Sequence, residues 1–251
     1  MNSIAIGFIV FACVFGGALF GMLLSARLPE RHLSGDSKDI VRLGMGLIGT
    51  MTALVLGLLV ASAKSFYDTQ SSELTEMSAK IVLLDRVLAH YGPETKEVRD
   101  LLHGAVARTL DRLWPQDHRQ NPQMEPTAAG GEIILDRIQE LSPKNDTQRS
   151  LQAQALNMAI DLGKMRWLMF EQGGSSISMP LLAMLVFWLA IIFTSFGLFA
   201  PRNATVITTL FLCALSVAAA ILLILEMYAP FQGLIQISSA PLRNALAHLG
   251  Q

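Results

Sequence analysis

Four stretches of the chain carry no formal charge for about the length that crosses a bilayer. They are Ile4–Ala26, Leu43–Ala63, Ile177–Ala200 and Ala204–Leu225. The hydrocarbon core needs about 20 predominantly apolar residues in a helix, so the pattern predicts four membrane spans. The first could also be read as a signal peptide. Met1-Asn2-Ser3 offers no basic n-region, however, and the apolar run outlasts an h-region.

Between the second and third spans the pattern changes to a polar helix with one apolar seam. Leu74, Met77, Ile81, Leu84, Leu88 and Tyr91 step by three and four. Leu151, Ala155, Met158, Leu162, Met165 and Met169 do the same further on. Such heptad spacing predicts two long helices, each fused to a span, packing antiparallel as a coiled-coil stalk. Nothing interrupts the first rod from Leu43 to Tyr91, giving a length on the order of 70 Å. Gly92-Pro93 ends it. A helix over about 93–114 follows, then a polar loop from Gln116 to Gly130 and a short helix from Glu132 to Leu141. The last long helix begins near Lys144, with Gly173-Gly174 as a hinge into the third span. No strand is expected.

The fold class is therefore all-α: four transmembrane helices with a helical stalk or bundle inserted between the second and third. The divisions are 1–63 (first two spans), 64–176 (soluble helical stalk), 177–226 (last two spans) and 227–251 (tail). Pro241 can open a final short helix in the tail, lying at the membrane interface or packed on the stalk.

Composition agrees. The 251 residues are 52% hydrophobic and only 16% charged, where soluble domains carry about 25% charged residues. A net charge of -1 gives no footprint for nucleic acid. Two cysteines exclude a disulfide framework. Loop 27–42 holds Arg27, Arg31, Lys38 and Arg42, and Arg202 sits in the other short loop. The positive-inside rule then puts the short loops in the cytoplasm and the stalk domain outside, in the periplasm for a bacterial inner membrane.

Catalytic chemistry is hard to find. Gly44-Met45-Gly46-Leu47-Ile48-Gly49 has the letters of a dinucleotide fingerprint but lies inside a span, with no strand before it. His32, His90, His103, His118 and His248 show no ligand spacing, and Cys13 and Cys213 fall within spans. No enzyme, cofactor or metal is expected. The acidic residues fall at solvated helix positions. Leu-Asp-Arg recurs at 84–86, 110–112 and 135–137, as a duplicated unit or as repeated surface charge pairing.

The informative residues concern packing and ion passage. Gly49, Ala53, Gly57 and Ala61 make a small-residue ridge on the second span, as Gly17, Gly21 and Ser25 do on the first. Such ridges let helix backbones approach in lipid, within or between subunits, or line a narrow pore. Lys64 and Phe66 follow at the end of the second span. They read as an interface belt or as a cationic mouth favouring anions. Glu226 closes the fourth span, as an interfacial anchor or salt bridge or as part of an ion path.

Two stretches carry a family resemblance. One comprises Arg42-Leu43-Gly44, Leu56-Gly57-Leu58-Leu59-Val60-Ala61-Ser62-Ala63-Lys64 and Leu83-Leu84-Asp85-Arg86-Val87-Leu88-Ala89-His90-Tyr91-Gly92-Pro93-Glu94. The other is Glu226, Pro230-Phe231-Gln232-Gly233-Leu234-Ile235 and Pro241-Leu242. With the four-span layout, the chain resembles the bacterial membrane family described as bestrophin-like. That family borrows its name from the bestrophins, pentameric chloride channels whose large domain is cytosolic. The resemblance implies a homo-oligomer in the lipid bilayer and an inorganic anion as the conducted species. No acidic cluster like the bestrophin calcium clasp is present. Beside the anion channel stands a non-conducting scaffold or sensor whose heptad-bearing stalk binds a partner protein.

Overall fold

The computed structural model describes residues 3–29, 35–115, 130–173 and 178–250. All regular elements among them are helical: α1 (Ser3–Arg27), α2 (Gly35–Tyr91), α3 (Lys96–Leu113), α4 (Gly131–Gln139), α5 (Asp146–Gly173), α6 (Met179–Phe199), α7 (Ala204–Met227) and α8 (Ala240–His248). Four of them, α1, α2, α6 and α7, are long and apolar enough to cross a membrane. The loop 116–129, the hinge residue Gly174 and the start of the third span at Ile177 lie outside the described residues.

Helix α2 is 57 residues long and starts at Gly35, earlier than the expected Leu43. The early turns are polar but suited to a helix: Asp39 and Arg42 pair one turn apart at 3.5 Å, and acidic groups near an N-terminus oppose the helix dipole. The end at Tyr91 is the expected one. Gly92 takes φ +137°, a conformation that L side chains rarely adopt. The fully buried Thr95 places its hydroxyl 2.6 Å from the Leu88 carbonyl and 2.8 Å from that of Gly92, satisfying carbonyls that the ending helix leaves free.

The chain divides into two compact units, residues 1–66 with 176–228 and residues 67–175 with 229–251. In the first, α1 packs on α6 and α7 through Val10, Val14 and Ala18, which are almost inaccessible. The ridge on α1 explains how close this packing is. A Cβ on Gly17 would stand 2.9 Å from the Ala190 carbonyl oxygen, and one on Gly21 would collide with that of Thr194. Gly197 of α6 answers from the other side, where a Cβ would collide with the Ala18 carbonyl. The Arg202 guanidinium donates to the Met22 carbonyl, covering the C-terminal end of α1. Asn203 caps α7 by accepting from the Val206 amide at 2.8 Å.

In the second unit the two heptad seams meet. Gln70 donates to Gln172 at 2.6 Å, and Gln148 donates to the Tyr91 carbonyl at 3.0 Å. The beginning of this part of α2 therefore pairs with the end of α5, and its end with the beginning of α5. Leu74, Leu84 and Leu88 are buried in a core shared with Val98, Leu102, Ile134, Ile138 and Ala155. The positions of the two seams form the unit's own interior, as their period predicts. The tail joins the same core through Phe231, Ile237, Leu242 and Leu249. The Trp114 indole fixes it there, donating to the Ile237 carbonyl at 2.9 Å and meeting Phe231 edge-on at 5.7 Å.

One expectation about charge is overturned. Asp85 is 1% exposed, not solvated. Arg99 holds it in a fork, Nε to Oδ1 at 2.7 Å and Nη2 to Oδ2 at 2.9 Å, and the Gly250 amide donates to Oδ2 at 3.3 Å. The hydrogen bond to Asp85 raises the Arg99 pKa further above its ordinary value. Asp111 and Asp136, the matching residues of the other Leu-Asp-Arg triplets, are exposed. The three triplets do not share an environment, which favours coincidence over duplication.

Candidate functional site

The second span differs from the other three in how little of it is covered. Of its most apolar window 11% of residues are buried, against 28%, 33% and 28% for α1, α6 and α7. Thr52, Leu59 and Ala63 face the protein interior. The remaining circumference is open along two stripes. Leu43, Leu47, Leu54 and Leu58 form one and are between 65% and 77% exposed. The small-residue ridge forms the other.

Among the described residues little covers that ridge. Ala53, Gly57 and Ala61 are exposed and Gly49 is half-buried. A Cβ added at Gly49 or Gly57 would meet no atom of the described residues within 4 Å. The ridge on α1 has the same spacing and is filled by α6. Two equal sequence patterns thus have different environments: α6 packs against the ridge on α1, whereas the ridge on α2 is largely exposed.

Below the ridge, Lys64 is exposed. Phe66 is half-buried and stacks on Tyr228, ring centroids 5.3 Å apart, while the Tyr228 hydroxyl lies 2.9 Å from that of Ser62. Glu226, in the last turn of α7, is 3% exposed. The ring stack and hydroxyl contact join the end of the second span to the end of the fourth. Phe66 is thereby held in place. Nothing in the sequence gives Tyr228 a role, and Ser62 has only a place in the motif of the second span. Their only signal is the position of each at the end of a span.

The bestrophin-like domain matches residues 12–242, which include the whole of the second span and most of the tail. The chain belongs to the bestrophin-like family. Its fold is similar to crystal structures of single-substitution variants of a bacterial bestrophin homolog from Klebsiella pneumoniae. One matches with a TM-score of 0.68 at 13% identity, over 100% of this chain and 99% of that one. Another matches with a TM-score of 0.66 at 15% identity, over 95% and 98%. No curated protein matches the sequence. With its four apolar helices, this bestrophin-like chain is a membrane protein.

Proposed function

We propose that this bestrophin-like protein is a homo-oligomeric anion channel, with copies of α2 around a common axis. The bare ridge Gly49-Ala53-Gly57-Ala61 carries the reading: a helix exposed on its small-residue face is suited either to close contact with a neighbouring copy or to a narrow passage. Lys64 stands at the mouth, where a ring of ammonium groups raises the local anion concentration. Phe66 supplies an aromatic edge there, and the buried Glu226 supports the end of the fourth span. The membership in a family named for bestrophins supports conduction. The second unit forms the water-facing stalk.

The ridge has its own test. Leucine in place of Ala53 puts a branched side chain on the face where the copies approach. The expected result is loss of the oligomer in native mass spectrometry, with the monomer recovered intact. An unchanged oligomer with unchanged ion flux leaves the ridge without a role.

We further place the protein in the bacterial inner membrane. The basic residues of the short loops favour those loops in the cytoplasm, whereas kinship with bestrophins favours the helical unit there. A cysteine at the exposed Thr75, with Cys13 and Cys213 replaced by alanine, separates the two. Labelling of whole spheroplasts by an impermeant maleimide is the result expected from the charge count. Labelling only after lysis overturns it.

A further inference from the structure

Within the unit 67–175 with 229–251 there is a cavity of about 310 Å³. Ile81, Leu102, Val106, Ile134, Leu162 and Leu242 give it apolar walls from five helices. Its size lies at the small end of the range for small-molecule sites, roughly 300–1,000 Å³.

One strong cation lines it, Arg166 of α5. The Nε of this side chain is buried and has no hydrogen-bond partner among the described residues. Burial pushes the guanidinium pKa down, with the field of Glu132 opposing. A desolvated donor without an acceptor is costly.

The neighbouring backbone makes the same demand. Gly130 takes φ +68° and opens α4, and as the N-cap residue it has no side chain to cap that end. A Cβ on Gly131 would stand 2.8 Å from Nη1 of Arg166, and one on Gly130 would stand 3.5 Å from Nη2 of Arg108. Two guanidinium groups thus approach the positive end of a helix, an arrangement of like sign. An anion in the cavity, beside Arg166, relieves it on that side. The nearest acid in the lining, Glu132, is exposed. It sits at the rim and disfavours a doubly charged head group.

We propose that this cavity binds a small amphiphilic carboxylate, of the class of a medium-chain fatty acid. Arg166 holds the carboxylate beside the start of α4, and the apolar walls take the chain. The site does not depend on the channel reading.

Trp167 lines the same cavity and reports on it. The probe is ω-bromoundecanoate, whose bromine quenches a nearby indole, added to the full chain in nanodiscs. The expected result is saturable quenching that is lost in Trp167→Phe. Arg166→Gln weakens it about tenfold to a hundredfold, the range for a hydrogen bond to a charged group. The uncharged ω-bromoundecanol binds more weakly by a similar factor. Should Arg166→Gln fail to fold, Gly163→Leu replaces it. That position lines the cavity and has open space at its Cβ, so leucine fills the chamber and abolishes the quenching. Quenching that rises linearly with probe, that is equal for acid and alcohol, or that persists in Arg166→Gln overturns the proposal. So does absence of quenching, the outcome if a second copy or segment 116–129 occupies the cavity.

Discussion

Replacing Arg99 with alanine is expected to destabilise the protein by about 3 kcal/mol, because it leaves a buried carboxylate without its partner. Asp85 is almost inaccessible, and the Arg99 fork meets both of its oxygens. The Gly250 amide then still donates to it. Thermal unfolding of the detergent-solubilised protein, followed by Trp114 fluorescence, reads the loss, since Trp114 packs against the tail that Asp85 also holds. Replacing both Asp85 and Arg99 with leucine should cost less than Arg99→Ala alone, because a buried ion pair is worth little against a well-packed apolar pair. Equal stability of Arg99→Ala and the parent protein would show that the fork contributes nothing.

The second large effect is expected at Gly197. Leucine there meets the Ala18 carbonyl and the Met22 amide of α1, backbone atoms that cannot rotate aside. Overpacking usually costs about 1–3 kcal/mol, and a rigid obstacle puts this substitution at or above the upper end. The expected outcome is a sharp fall in the folded, monodisperse fraction on size exclusion. Gly57→Leu provides the contrast, because open space surrounds that Cβ in the single chain. It should fold as a subunit and fail only at assembly. Gly197→Leu protein that elutes and melts like the parent would contradict the close α1–α6 packing.

These two sites show what can be read from the sequence and what cannot. The spans were legible because uncharged runs of that length have few uses outside a bilayer. The seams of α2 and α5 were legible from their period, and Gly92-Pro93 from the backbone freedom of one residue and the fixed φ of the next. A period, however, gives a face and not its partner. The ridges of α1 and α2 have the same spacing, yet Gly17 and Gly21 of α1 meet Ala190, Thr194 and Leu198, while Gly49 and Gly57 of α2 meet nothing among the described residues within 4 Å. That difference lies on α6, far along the chain. Asp85 was equally opaque. Its triplet looks like those around Asp111 and Asp136, and its burial depends on Arg99 of another helix and on the Gly250 amide. The early start of α2 escaped notice because its first turns are charged and resemble a loop. Arg166 gives no signal at all, since one arginine on an amphipathic helix is ordinary and only the fold sets apolar walls beside it.

The central claim is that copies of α2 surround an anion path with Lys64 at its mouth. Halide efflux from liposomes carrying the purified protein tests it most directly, measured at both signs of membrane potential against empty liposomes. The account predicts efflux well above the empty control, falling about tenfold or more when Lys64 is replaced by glutamate, because a ring of carboxylates repels the ion that a ring of ammonium groups attracts. No efflux from correctly assembled oligomers, or efflux indifferent to the charge at position 64, would contradict it.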